Sequence, residues 1–306
     1  MEGILPLFKP AGLTSHDCVF KIRKILKTKK VGHTGTLDPD VTGVLPICIG
    51  RATKIAEYIT DAGKAYEGEV TLGFSTTTED ASGEIVDQRK IESSILRSKI
   101  LEVLKSLQGE IVQTPPMYSA VKVNGKKLYE YARQGIEIER PTRKVNIYSI
   151  ELLDDRDTFS GDTISFSFRV TCSKGTYIRT LAVMIGEMLN IPAHMSKLKR
   201  IQSASFLLQD CFTFEEVEQF MLKGEMDKIL YPLESGISHL PKYQISDTVA
   251  EKVKNGALLP VPEQLLNQNG PIVVETKNEK ALAIYAIHPS KPEFLKPTKV
   301  LRNDTF

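Results

Sequence analysis

The stretch GHTGTLDPDVTGVLP, residues 32–46, gathers loop-forming residues around a single carboxylate, Asp38. Glycine, proline and short hydroxyl side chains build a tightly turned loop. Such a loop lets backbone and a short acid approach a ligand more closely than a helix or a bulky strand allows. Asp38-Pro39 is also the signature of an ordinary turn, and His33 alone reads as a hydrogen-bonded structural residue. The acid therefore needs a partner. Arg179 lies in the first turn of a predicted helix, where the positive end of the dipole disfavours a cation by some tenths of a kcal/mol. Paired with Arg179, a partly desolvated Asp38 would stay ionised, as a nucleophile must. A surface arginine with a solvated neighbour is the plainer reading of Arg179 taken by itself.

Other chemistries fit less well. Asp38-Pro39-Asp40-Val41-Thr42 matches the D-x-D-x-T pattern of haloacid-dehalogenase-type phosphatases. The preceding VGHTGTL, however, is too small and glycine-broken for the buried strand that pattern requires, and no carboxylate cluster for magnesium follows. No Walker sequence occurs, and SKGT at Ser173 to Thr176 is too short to argue a phosphate site. The four cysteines, Cys18, Cys48, Cys172 and Cys211, stand far apart with no CxxC pair, so free thiols are expected, with neither disulfides nor zinc.

The net charge of +2 conceals an uneven distribution. Lys21 to Lys30 carry six basic and no acidic groups, and Lys122 to Lys144 carry seven basic and three acidic. Concentrated basic segments on an otherwise acidic chain favour a polyanionic partner, against the blander reading of two solvated faces. With 306 residues, 41% hydrophobic and 25% charged, the chain has the composition of an ordinary globular protein of about two domains, which excludes disorder and fibres. Apolar runs such as Val44 to Ile49 are far short of the roughly 20 residues that span a bilayer, so a cytoplasmic protein is expected.

Several elements must position these residues. Thr14 or Ser15 can cap a helix with Asp17 in its first turn. Val19, Ile22 and Leu26 then face the core, and Lys21, Lys24 and Lys27 face water. Alternation predicts a strand over Lys64 to Phe74 with Tyr66 on its apolar face, and a clearer one over Thr163 to Cys172. The spacing predicts a helix over Ser94 to Gln108 with Leu96, Ile100, Val103, Leu104 and Leu107 on its core side, and another over Thr176 to about Leu189. Residues 113–143, QTPPMYSAVKVNGKKLYEYARQGIEIERPTR, lose all period, and loops this long are usually functional. From about Leu240 the pattern turns to short strands, Ile272 to Thr276 and Ala281 to Ile287 joined by KNEK, which predicts a separate small β domain.

Six motifs in one order then decide the reading: KPAGLTS (Lys9 to Ser15), GHTGTLDPDVTGVLP, KAYEGEVTLG (Lys64 to Gly73), QTPPMYSAVKVNGKKLYEYAR (Gln113 to Arg133), SKGTYIRTL (Ser173 to Leu181) and HMSKLKR (His194 to Arg200). Over nearly its whole length the chain resembles the TruB family of tRNA pseudouridine synthases. The resemblance implies an α+β fold, a mixed and mainly antiparallel sheet with flanking helices. It implies a catalytic domain over residues 1–239 with an RNA-binding insertion at about 113–143, and a PUA-like RNA-binding β barrel over 240–306. The implied activity is isomerisation of uridine to pseudouridine at position 55, in the TΨC loop of tRNA, without metal or cofactor.

By the same resemblance Asp38 is the catalytic carboxylate, with three roles open to it: attack at the ribose C1′, attack at the base C6, or assistance to a glycal intermediate. Tyr66 stacks on the target base, Arg179 pairs with the aspartate, Tyr177 and Leu198 line the pocket, and Lys9 with Pro10 packs beneath it. A uridine must leave its stack to reach a carboxylate, at a cost of a few kcal/mol. His33 resembles the residue that fills the vacated place, where stacking returns about 1–3 kcal/mol per base. Phosphate contacts are expected from Lys21, Lys24, Lys27, Lys126, Lys127, Arg133, Arg143 and Arg200. Of Tyr118, Tyr129 and Tyr131, at least two should pack internally. Lys199 departs from the family's usual arginine, keeping the charge and losing the bidentate fork. The expected partner is the TΨC stem-loop of tRNA, with no obligate protein partner and a monomeric state. The alternative is a non-catalytic tRNA-binding or folding protein on the same scaffold.

Overall fold

The computed structural model describes residues 1–303, which divide into two compact units. One comprises Asp40–Gly43 and Gly63–Gln202; the other comprises Met1–Pro39, Val44–Ala62 and the described residues from Ser203 onward. Among the described residues no helix is long and apolar enough to cross a membrane.

The Gly63–Gln202 unit is built on strands ordered Ala193–Ser203, Lys64–Leu72, Ile164–Cys172, Arg143–Leu152 and Gly109–Gln113. The last three junctions are antiparallel, and Thr42 and Gly43 pair in parallel with Lys199 and Arg200. The alternation read from the sequence decides which face is buried. Ile164, Phe166, Phe168, Val170 and Cys172 are all at most 2% exposed, while Arg169 on the opposite face pairs with Glu67 at 2.7 Å. Tyr66 stands opposite Val170 and Gly68 opposite Phe168. Gly68 is required there, because a Cβ would lie 2.8 Å from the Phe168 ring.

Three expectations need correcting at their edges. The predicted Lys64 to Phe74 strand breaks at Gly73, whose φ of +116° turns the chain into a separate hairpin of Phe74–Thr76 with Ile85–Gln88. The Ser94 to Gln108 helix begins only at Arg97, because Ile95–Leu96 pairs with Thr158–Phe159; Leu96 is 57% exposed and off the core side, which Ile100, Val103, Leu104 and Leu107 do occupy. The helix expected from Thr176 begins at Ile178, since the Thr176 hydroxyl closes the preceding turn on the Ser173 carbonyl. Residues 113–143, expected to be irregular, hold a hairpin of Lys122–Val123 with Lys126–Lys127 and a helix, Leu128–Arg133. Two-residue strands are too short to show a period; the signal was Asn124-Gly125, both at positive φ as a tight hairpin turn demands.

In the other unit, the helix Ser15–Ile25 starts as expected. The Thr14 hydroxyl accepts from the Asp17 N–H, and the Asp17 carboxylate accepts from the Thr14 N–H and hydroxyl, which holds that acid below its usual range. The strand Gly3–Lys9 is almost wholly buried. Five strands ordered Lys242–Ile245, Ile272–Thr276, Ala281–His288, Lys291–Val300 and Leu259–Pro260 form a second sheet, including the expected KNEK hairpin. One core joins Ile245, Val253, Ile272, Val274 and Leu295 within that sheet. A second joins Val273, Ala281, Ile284 and Leu301 to Ile4, Val44, Ile55 and Ile59. Cys18, Cys48 and Cys172 are buried thiols, and burial pushes Cys48 up to about 12 and Cys172 to about 11.

Candidate active site

The residues singled out in the sequence fall into two groups, one in each unit. The first is the Asp38 loop. The strand Val31–His33 ends five residues before Asp38, so the acid sits on a loop and not at the end of a long buried strand, contrary to the phosphatase pattern.

Both peptide neighbours of Asp38 are fixed by buried groups. The fully buried Lys9 ammonium donates to the Pro39 carbonyl at 2.8 Å and to the Pro10 carbonyl at 2.9 Å, and Gly12 N–H donates to the same Pro39 carbonyl at 3.0 Å. On the other side the Ser15 hydroxyl accepts from Leu37 N–H at 2.9 Å and donates to the Leu37 carbonyl at 3.3 Å. Thr34 anchors the loop's start on the Pro46 carbonyl at 3.0 Å. KPAGLTS and GHTGTLDP thus meet as one device that holds a half-buried Asp38 with little backbone freedom. His33 holds its ring by an Nδ1–H bond of 3.1 Å to the Gly35 carbonyl.

Just beyond, Gly43 has φ +111°, and a Cβ there would lie 2.1 Å from the Arg200 carbonyl oxygen. Gly43→Ala is expected to destabilise the protein by roughly 3–5 kcal/mol, measured by denaturant unfolding; a loss below about 1 kcal/mol would mean the strand can shift freely there.

The second group surrounds the helix Ile178–Met188, which packs on the strand carrying Tyr66. Arg179 sits in its first turn, as expected, and is 5% exposed. Its guanidinium donates to the Thr78 carbonyl and to the Tyr118 carbonyl, both at 3.0 Å, and lies 3.6 Å from the Asp80 carboxylate. Asp80 is itself held by the Thr78 and Ser82 hydroxyls, both at 2.6 Å, and by Ser82 N–H at 3.0 Å. Glu79, at positive φ, accepts from the Thr180 hydroxyl at 2.7 Å, and burial raises its carboxyl above the usual range. A compact acidic turn therefore meets the basic first turn that the dipole disfavours. Sequence reasoning missed Asp80, Glu79 and the Tyr118 carbonyl: TTTEDAS carries no periodic signal, and its partners are some hundred residues away in sequence.

Tyr66 is 8% exposed on the buried face of its strand, Leu198 packs beside Gly68 and Phe168, and Tyr177 is half-buried with Arg143 5.2 Å over its ring. Gln113, also missed, is 1% exposed and bonds the Tyr177 main chain twice. Tyr129 and Tyr131 pack internally, as expected. Lys127 and Arg133 lie 5.3 and 5.2 Å over the Tyr129 ring, and Tyr131 donates to the Val123 carbonyl at 3.1 Å with Lys126 5.9 Å over its ring.

Among the expected phosphate contacts, Lys24, Lys27, Lys126 and Arg133 are exposed, and Lys21 lies 4.2 Å over the Phe214 ring; Lys199, which departs from the family pattern, is exposed as well. Arg200 is the correction. It is 0% exposed within the sheet beside Gly43, so its guanidinium offers no surface to a phosphate and belongs to the interior. Among the described residues, no group of three or more His, Cys, Asp or Glu is arranged to hold a metal ion.

The mixed sheet and its flanking helices define the class. A chain in the crystal structure of a Cbf5–Nop10–Gar1 complex is similar to this one with a TM-score of 0.76 and 29% identity, covering 98% of this chain and 85% of that one. Residues 23–178 match the TruB family pseudouridylate synthase N-terminal domain, and residues 179–238 match the tRNA pseudouridylate synthase B C-terminal domain. The tRNA pseudouridine synthase B of Geobacillus thermodenitrificans is 61% identical over 302 residues, 99% of this chain and 100% of that protein. The protein of the same name from Bacillus anthracis is 58% identical over 305 residues, 99% of this chain and 98% of that protein. The chain belongs to the TruB family of pseudouridylate synthases, and its catalytic fold is the pseudouridine synthase α+β fold.

Proposed function

We infer that the protein isomerises uridine to pseudouridine in tRNA, at position 55 of the TΨC loop. The observation that carries this reading is the full-length likeness, at 61% identity, to a tRNA pseudouridine synthase B. The reaction breaks the bond from uracil N1 to ribose C1′, turns the base and joins C5 to C1′; a proton leaves C5 and one is taken up at N1, so no atom is gained or lost. It needs an ionised carboxylate held rigidly at the ribosyl–uracil unit, an aromatic face for the base and exclusion of water.

Asp38 serves as that carboxylate, and the anchored Leu37 and Pro39 peptides support this role by limiting its motion. Tyr66 stacks on the base, and Arg179 is the guanidinium that the family's motif SKGTYIRTL supplies to the catalytic machinery. Tyr177 and Leu198 line the pocket, His33 fills the gap left by the flipped base, and Lys9 with Pro10 supports the loop from beneath. Residues 1–239 form the catalytic domain with 113–143 as its RNA-binding insertion. Residues 240–306 form a PUA-like RNA-binding domain, a reading supported by the five-stranded sheet. The protein acts in the cytoplasm as a monomer without an obligate protein partner.

The test is pseudouridine mapping on an unmodified tRNA transcript in the presence of chelator, by carbodiimide labelling and primer extension. A single stop at the TΨC-loop uridine is expected; intact tRNA binding without a stop would overturn the reading in favour of a binding protein. Lys24→Glu combined with Lys27→Glu should weaken tRNA binding and flatten its salt dependence by about one unit of slope per lysine, with kcat little changed. An unchanged slope would remove this helix face from the interface.

A further inference from the structure

We propose that Gln113 is a positioning residue of the active site, whose buried side-chain amide fixes the main chain of Tyr177 and through it the helix turn that carries Arg179. The inference rests on the reading of Tyr177 and Arg179 as active-site residues.

The geometry is specific to an amide. Gln113 ends the strand Gly109–Gln113 and is 1% exposed. Its Oε1 accepts from Tyr177 N–H at 3.0 Å, and its Nε2 donates to the Tyr177 carbonyl at 3.2 Å, with Met184 Sδ at 3.9 Å on the same helix. One planar group thus meets both polar atoms of one residue, as a neighbouring strand would. Tyr177 caps the helix Ile178–Met188 without any side-chain cap of its own, so the clamp comes from a residue 64 positions away in sequence. Burying an amide is unfavourable unless it is satisfied, and Tyr177 meets both the oxygen and the nitrogen of this one.

The register adds a second contact. Arg143 stands opposite Gln113 on the adjacent strand, its guanidinium 5.2 Å over the Tyr177 ring and 3.5 Å from the Gly175 carbonyl. Adjacent positions on two strands therefore hold the main chain and the ring of the same tyrosine. Two residues on, Arg179 meets two carbonyls and a carboxylate from separate segments, a convergence that tolerates little displacement. These are also the two points where the insertion of residues 113–143 leaves and rejoins the sheet.

The experiment compares wild type, Gln113→Ala and Gln113→Glu in single-turnover pseudouridine formation on tRNA. Gln113→Ala should lower the rate roughly tenfold to a hundredfold, the cost of a misplacement of about 1 Å, with tRNA affinity little changed. Gln113→Glu keeps the shape. Ionised, it can accept from Tyr177 N–H but faces the Tyr177 carbonyl with a second acceptor; protonated, it restores both bonds. Burial raises its pKa, and Arg143, the charged group paired with it in register, lowers it. Its rate relative to wild type should therefore rise about tenfold as pH falls from about 8 to about 5.5, a change the alanine variant cannot show. A purely structural role would lower stability and leave that ratio flat.

A fluorotyrosine label gives a second readout: the Tyr177 resonance in Gln113→Glu should move with pH in step with the rate. If Gln113→Glu does not fold, Gln113→Met replaces it and must displace the Tyr177 resonance. A flat rate ratio in a folded Gln113→Glu, a wild-type rate in Gln113→Ala, or an unmoved Tyr177 resonance in Gln113→Met would overturn the proposal. Failure of the underlying reading looks different: wild type would be inactive on tRNA, or Tyr177→Ala would keep full activity.

Discussion

Asp38→Asn is expected to abolish pseudouridine formation, by roughly 10⁴-fold or more in kcat, while tRNA affinity stays within a few-fold of wild type. Asparagine has nearly the same shape and can occupy the same loop, because other buried groups hold the peptides on either side of position 38. Lys9 and Gly12 hold the Pro39 carbonyl, Ser15 holds both polar atoms of the Leu37 main chain, and Thr34 holds the Pro46 carbonyl. The variant should therefore fold normally and lose only the negative charge that the reaction uses. Single-turnover kinetics with a filter-binding measurement of affinity check both halves. A rate within tenfold of wild type would remove Asp38 from the chemistry.

The second large effect concerns Arg179. Arg179→Lys should lower kcat by roughly 10²–10³-fold although the charge is kept. A guanidinium has a planar fork of donors, and here NH1 and NH2 address different segments: the Thr78 carbonyl, the Tyr118 carbonyl and the Asp80 carboxylate. A single ammonium on a flexible stem cannot reach all of them, and each carbonyl left unmet while buried costs about 1–3 kcal/mol. Arg179→Lys should also loosen Thr78 and Tyr118, so protease sensitivity within residues 77–83 and 113–143 is expected to rise. The parallel variant Asp80→Asn separates charge from geometry: it keeps an acceptor for Arg179 and should cost less in stability than Arg179→Lys. Near-wild-type kcat in Arg179→Lys would show that only the charge matters at this position.

The sequence by itself determined the features that depend on neighbours in the chain. The Ser15–Ile25 helix and its Thr14–Asp17 cap are local hydrogen bonds, legible wherever a hydroxyl precedes an acid by three residues. The strict alternation of Ile164 to Cys172 determined the most regular buried strand, because a period of two admits one inner face. The dipole argument placed Arg179 as a cation in need of acceptors, and the family's motifs supplied the roles proposed for Asp38 and Tyr66. The Asn124-Gly125 hairpin was equally local, and its signal lay in those two residues.

Only the tertiary structure decided which groups meet those residues. Asp80 and Glu79 reach the Arg179 helix from about 100 positions away, Gln113 reaches Tyr177 from 64, and Lys9 reaches Pro39 from 30. No periodicity encodes such pairs, since each depends on strand order and register and not on spacing. The same reason moved Arg200 from the expected surface to the interior. A basic residue reads as solvent-exposed until the strand pairing beside Gly43 buries it. Leu96 reads as core until the pairing of Ile95–Leu96 with Thr158–Phe159 pulls it out of the helix. Local chemistry is written in consecutive residues, whereas the surroundings that position it come from chain segments that meet only when the sheet has formed.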